Sequence, residues 1–236
     1  MEFSDRFAKE EYVRDIFSRI AGRYDLINRI ISLNMDGGWR KAAAAEFGSV
    51  RGCRLLDCCC GTGSLTQELS VLVGKTGEVT GVDFSPEMLD RARGKCRDLA
   101  NVRFFHGDVL NLPFKNSTFH GAASAFALRN LTSIPRALEE MARVVIPGGK
   151  VVILELNRPS RPVFKQGFSV YFNRIVPILG SLLSGSGHAY RYLPQSYHFL
   201  PQPEDLMSKM CSAGVEDVRY RTMAGGAVAL YRGKAV

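Results

Sequence analysis

The 236-residue chain lacks an unbroken apolar run of membrane-spanning length. The apolar stretch from Phe164 to Leu183 is interrupted by Lys165, Arg174, Pro177 and Gly180, so no span is expected. Its first twenty residues are charged throughout, with no apolar segment leading to a cleavage site, so no export is expected. C-x-x-C pairs are missing as well. The six cysteines, at 53, 58, 59, 60, 96 and 211, read as small reduced core residues rather than a disulfide framework or metal site. Cys58-Cys59-Cys60 read as successive strand positions pointing to opposite faces, which excludes convergence on one ion. There is no internal repeat and no low-complexity tract, and the length suits a single domain, 1–236.

Acidic residues are absent between Glu155 and Glu204, although the whole chain carries a net charge of only +8. Arg158, Arg161, Lys165, Arg174 and Arg191 lie in that interval, interleaved with Phe164, Phe168, Tyr171, Phe172, Ile175, Leu179 and Leu182. A basic, aromatic, apolar segment suits an anionic membrane surface or an anionic substrate. Nucleic acid is the competing partner, and an amphipathic helix packed on the domain is the plain alternative.

The stretch Arg54-Leu-Leu-Asp-Cys-Cys-Cys-Gly-Thr-Gly-Ser64 carries the chemistry. Leu55 and Leu56 read as a buried strand, Gly61 and Gly63 as a tight turn, and Ser64 to Leu72 as a helix whose free N–H groups face the turn. Such a turn lets a nucleoside approach the main chain. Asp83, twenty residues beyond Gly63 and ending the run Val79-Thr-Gly-Val82, suits a ribose-binding carboxylate. Three details favour S-adenosylmethionine over a dinucleotide. Thr66 stands where the third glycine of the dinucleotide fingerprint would fall. Asp57, four residues before Gly61, could accept from a methionine amino group. Asp108, after Val102-Arg-Phe-Phe105, could take the adenine amino group together with the adjacent backbone. Each Asp alone also suits a helix cap; the spaced trio, ending three strands, favours a ligand at their carboxyl ends.

Strands are expected at 53–58, 77–82, 102–106, 119–125 and 150–156, with helices at 64–73, 85–97 and 132–145 between them. That alternation predicts a parallel sheet with right-handed crossovers. Helical spacing at 9–21, 25–34 and 38–47 forms an N-terminal cover. Pro203 to Ala213 reads as a late helix, and Val215–Tyr220 and Ala227–Tyr231 as closing strands.

These pieces resemble the class I S-adenosylmethionine-dependent methyltransferases, and more narrowly the ubiquinone/menaquinone biosynthesis C-methyltransferase family. Tyr24-Asp-Leu-Ile-Asn-Arg-Ile-Ile-Ser32 with Trp39, Leu55 to Gly63, Asp83-Phe-Ser-Pro-Glu-Met-Leu89, Asn111-Leu-Pro-Phe114, Phe126-Ala-Leu-Arg-Asn130, Arg143-Val-Val-Ile-Pro-Gly-Gly149 and Tyr190-Arg-Tyr-Leu193 with Ser196 are similar to family stretches. The likeness spans nearly the whole chain. Ile27 stands where the family usually has Met, Asp36 where it has His, Ile146 where it has a basic residue, and Ala125 where it has Ser.

The resemblance implies an α/β, Rossmann-like fold with a mostly parallel seven-stranded sheet. Its parts would be an N-terminal helical cover (1–48), a cofactor-binding core (53–156), a substrate or lid insert (157–202), and a closing helix and strands (203–236). It implies S-adenosyl-L-methionine as cofactor, held by Asp57, Gly61, Thr62, Gly63, Asp83, Phe84, Asp108 and Val109, with no metal. The acceptor would be a polyprenyl quinol such as demethylmenaquinol, methylated on a ring carbon. Ionising the quinol pushes electron density onto that carbon, so a fixed cation near the oxygen is needed. Arg129, with Asn130 orienting the ring, is the candidate. The base is water or one of Tyr24, Asp25, His188, Tyr190 and Tyr192. Phe164 to Leu183 would form an apolar lid meeting the lipid surface, with membrane contact through 158–192. The expected location is cytoplasmic, peripheral on the inner face of the plasma membrane, with no nucleic-acid partner and the oligomeric state open. The rivals are a methyltransferase of another acceptor, such as a benzoquinol, small phenol or RNA, and a non-catalytic S-adenosylmethionine-binding subunit.

Overall fold

The computed structural model describes residues 6–159, 166–167, 170–171, 174, 176 and 197–236. His188, Tyr190, Tyr192 and most of the expected lid lie outside the described residues. Three helices come first: α1 (Arg6–Ile20), α2 (Tyr24–Ile31) and α3 (Asp36–Ala45). Alternation follows, with β1 (Arg54–Cys58), α4 (Ser64–Val73), β2 (Glu78–Asp83), α5 (Pro86–Lys95), β3 (Val102–His106), β4 (Phe119–Ala125), α6 (Ile134–Val144) and β5 (Val145–Leu156). The described chain closes with α7 (Pro203–Ser212), β6 (Val215–Met223) and β7 (Val228–Ala235).

The seven strands form one sheet in the order β3-β2-β1-β4-β5-β7-β6. The first five are parallel, and β7 runs antiparallel to both β5 and β6. The strand order reverses between β1 and β4, which opens a crevice at their carboxyl ends where ligands bind in open α/β sheets. Leu56, Cys58, Val82, Leu138, Met141 and Ile153 pack one core cluster; Leu55, Leu65, Leu69, Val79, Val152 and Leu154 pack another. Leu55 and Leu56 thus serve different clusters, as period-2 alternation requires. A third cluster, from Val13, Ile16, Ile20, Ile27 and Met88, seats the N-terminal cover on α5.

Several boundaries differ from the sequence expectation. The second helix stops at Ile31 rather than 34, because Leu33 and Asn34 adopt φ of 52° and 64°. β5 begins at Val145, not 150: Val145 pairs with Phe119, and a register shift carries the strand through Pro147-Gly148-Gly149 before Lys150 pairs with Gly121. α6 starts at Ile134 because Ser133 caps it, accepting from the Arg136 N–H and satisfying one of the free donors of its first turn. The closing strands run on to Met223 and Ala235 because their pairing continues beyond the apolar residues that announce them.

Candidate active site

β1 ends at Cys58, and Cys59 turns the chain with φ of 57°. Strand alternation therefore does not extend through the three cysteines, contrary to the sequence reading. Cys58 and Cys60 are buried and Cys59 is half-buried; burial pushes all three thiols well above their usual range, leaving them protonated and weakly nucleophilic.

Beyond the turn lies a cleft of about 520 Å³. Of the residues singled out from the sequence, Tyr24, Gly61, Asp83, Phe84, Asp108 and Asn130 line it. Gly61 sits at φ 54°, and a Cβ there would find no protein atom within 4 Å. Asp83 closes the turn: its carboxylate accepts from the Gly61 N–H at 2.8 Å and the Ser85 N–H at 2.9 Å. Burial raises its pKa while those amides oppose the shift. The Phe84 amide adds a third backbone hydrogen bond, so of a carboxylate's about four acceptor positions about one stays available. Asp108 accepts from the Leu110 N–H at 2.9 Å, and Asn130 has a buried Oδ1 with no hydrogen-bond partner among the described residues.

The other candidates stand elsewhere. Asp57 does not line the cleft. It is buried inside β1 and accepts from the Thr66 hydroxyl at 2.6 Å, and burial lifts its pKa to about 7. Thr66, the residue in place of a third glycine, is thus Asp57's partner. Thr62 donates to Asp25 at 2.6 Å. Lys95 closes that latch, pairing with Asp25 at 2.6 Å and donating to Thr62 at 3.0 Å and Ser64 at 2.7 Å. Asp25 is thereby tied to the loop and is not among the residues lining the cleft. Gly63 caps α4 at φ 80°, with Ala92, Cys96 and Phe104 3.3 Å from any Cβ added there. Val109 is buried in the core.

Arg129 belongs to a second cavity, of about 100 Å³, shared with Asn28, Asp36, Trp39, Arg40 and Tyr171. Only 6% exposed, it donates 2.7 Å bonds to Glu155, itself 1% exposed, and to the Phe126 carbonyl. Tyr24 and Phe126 line both cavities. Phe126 reaches the boundary through a left-handed backbone, φ 61°.

Sequence reasoning missed the α1 wall of the cleft, made by Val13, Arg14 and Phe17, for which no local signal exists. It also missed His106 and Gly107, whose signal was adjacency to Asp108. His106 Nε2 lies 3.0 Å from the Phe84 carbonyl, joining the ends of β2 and β3.

A glycine turn clasped by an acid from the neighbouring strand, at the switch point of this sheet order, defines a class I S-adenosylmethionine-dependent methyltransferase. The fold agrees with solved structures: a methyltransferase from Aquifex aeolicus (TM-score 0.63, 21% identity, 84% of this chain and 89% of that one) and one from Thermotoga maritima (TM-score 0.63, 19% identity, 95% and 100%). The chain belongs to the ubiE/COQ5 methyltransferase family, whose model matches residues 6–235. It is 40% identical to a demethylmenaquinone methyltransferase of Desulfitobacterium hafniense, over 99% of this chain and 93% of that protein. To its namesake from Staphylococcus saprophyticus it is 41% identical, over 98% and 99%. The methyl donor is S-adenosylmethionine, and the residues fit it: open space above Gly61 and a spare acceptor position on Asp83.

Proposed function

We propose that the chain methylates a ring carbon of a reduced polyprenyl quinol, demethylmenaquinol, in respiratory quinone biosynthesis. The observation that carries this reading is the full-length match to relatives of that name, which includes the N-terminal cover whose Tyr24 lines both cavities. When bound, S-adenosylmethionine supplies an electrophilic methyl: the ring carbon's electron pair forms the new C–C bond as the C–S bond breaks onto sulfur, and the ring carbon's proton leaves to water.

The chain's own residues bind and orient. Asp83 offers its remaining acceptor position to a ribose hydroxyl, Gly61 lets the ligand reach the main chain, and Phe84 and Asp108 flank the base with the Val109 backbone. Asp57, Thr62 and Gly63 shape the loop from behind. Asn130 orients the ring and Tyr24 screens the reacting atoms from water. Arg129 holds the Phe126 carbonyl and so the wall between the cavities. An arginine is a poor proton acceptor, so the hydroxyl proton passes to water.

Membrane contact is part of the same reading, because a polyprenyl tail is insoluble. It is supported by exposed Leu26 in the first turn of α2, by exposed Leu33 and Met35 in the α2–α3 turn and by exposed Val170 and Arg174. No helix among the described residues is long and apolar enough to cross a membrane.

The test is transfer of labelled methyl from S-adenosylmethionine to short-chain demethylmenaquinol kept reduced by dithionite. Label on the ring carbon with the quinol and none with the oxidised quinone is the expected result. Cofactor binding without transfer would assign the chain to a different acceptor.

A further inference from the structure

Among the described residues, two arginines line the smaller cavity, and their charges are balanced very differently. Arg129 is neutralised at hydrogen-bond distance by Glu155. Arg40, 8% exposed, has no such partner: its nearest carboxylate is Asp36, 3.9 Å from Nε, and Asp36 is already engaged with the Ser32 hydroxyl at 3.1 Å. Arg40 Nε has no hydrogen-bond partner among the described residues, and neither has Arg129 Nε, so what separates the two arginines is the Glu155 hydrogen bond to Arg129. The Arg40 guanidinium lies 5.2 Å from the centre of the Phe126 ring, the side chain that separates the two cavities. Among the described residues Arg40 thus has one ion pair, to Asp36 at 3.9 Å and without a hydrogen bond, the field of Asp57 and an aromatic face beside it; its unused donors suit an anion that arrives with a ligand.

We infer that Arg40 is the residue that binds the ionised oxygen of the acceptor ring, in the cavity it shares with Trp39, Tyr24 and Phe126. This rests on the quinol reading for the nature of the ring. A cavity that holds benzene measures about 150 Å³, so a space of about 100 Å³ takes the oxygen-bearing edge and leaves the adjacent carbon at the Tyr24–Phe126 boundary. The planar guanidinium offers several donors in one plane to that oxygen. Four charged groups surround the position: Asp36, Arg129 and Glu155 around the cavity, and Asp57 behind the cofactor loop. With Glu155 balancing Arg129, the cation lining this cavity that has no hydrogen-bonded carboxylate, among the described residues, is Arg40.

The experiment uses 1-naphthol as probe, bound to the full chain in the presence of S-adenosylhomocysteine. Its ultraviolet absorption reports the pH at which it ionises. The wild type should lower that pH by about one unit or more; Arg40→Met should restore the free value, and Arg40→Lys should lie between. Alongside, Arg40→Met should reduce kcat about a hundredfold with cofactor affinity unchanged. Failure of 1-naphthol to bind the wild type would overturn the inference, as would a lowered ionisation pH that survives Arg40→Met. So would its loss in Arg129→Met alone. Should Arg40→Met fail to fold, the Lys variant decides by the same titration. A wild type that lowers the naphthol ionisation pH yet does not methylate the quinol would remove the quinol reading and leave the role of Arg40 standing.

Discussion

The cleft at the ends of β1, β2 and β3 is framed by main chain and a strand-end carboxylate, whereas the smaller cavity beside it is walled by buried charges and aromatic rings. In the first, Asp83 meets amides of its own and the adjacent turn, so geometry follows from strand pairing and survives many side-chain changes. In the second, Arg129 depends on Glu155 and Arg40 lies against Phe126, contacts between elements distant in the chain. A site that grips a cofactor can be built from backbone. A site that manages charge on a ring needs side chains held out of water, where each removal exposes its partner's cost.

The largest effect should come from breaking the charged wall. Arg129→Met leaves Glu155 buried without its cation and should cost about 3–5 kcal/mol of stability in urea unfolding. Pairing it with Glu155→Leu should recover most of that loss. A loss below about 1 kcal/mol for the single variant would show that the pair does not frame the cavity.

The backbone-built region makes a pH prediction almost as large. Burial raises Asp57 to about 7 from 3.8, so between those values the folded chain holds a proton that the unfolded chain has released. The Asp57 contribution is fully present below the unfolded value, declines as pH rises through that window and levels off above about 7. The stability of wild type minus that of Asp57→Asn should therefore fall by about 4 kcal/mol between pH 4 and 8. A flat difference would mean that Asp57 stays ionised, and so that it takes part in charge management as the smaller cavity does.

The smallest effect belongs to the latch between the cover and the loop. Asp25 and Lys95 are 42% and 23% exposed, so Asp25→Asn should cost less than about 1 kcal/mol globally. Amide hydrogen exchange in α1 and α2 should nevertheless quicken while β1 and β4 keep their protection. Uniform quickening would erase the distinction between a rigid cofactor region and a separately closed cover.

The alternation of strands and helices, the glycine turn and the positions of Asp83 and Asp108 are legible because they obey local rules: alternation, a turn, an acid at a strand's end. Asp57 obeyed the same spacing yet sits behind the loop, because a side chain within a buried strand goes where its pleat sends it, here to Thr66. β5 was read five residues short because Pro147-Gly148-Gly149 reads as a turn, while pairing with β4 carries the strand through it. The α1 wall left no trace, since Val13 and Phe17 are ordinary helix-face residues until α5 is placed beneath them.

By itself, the sequence determined the alternating architecture, the cofactor turn and the kind of ligand it accepts, because those depend on periodicities and spacings within a few tens of residues. The tertiary structure alone decided which charges are spent and which remain available. Arg129 and Arg40 are equivalent as letters. What separates them is a carboxylate 2.7 Å from one and 3.9 Å from the other, and the solvation of a buried charge is set by neighbours that only the folded chain assembles.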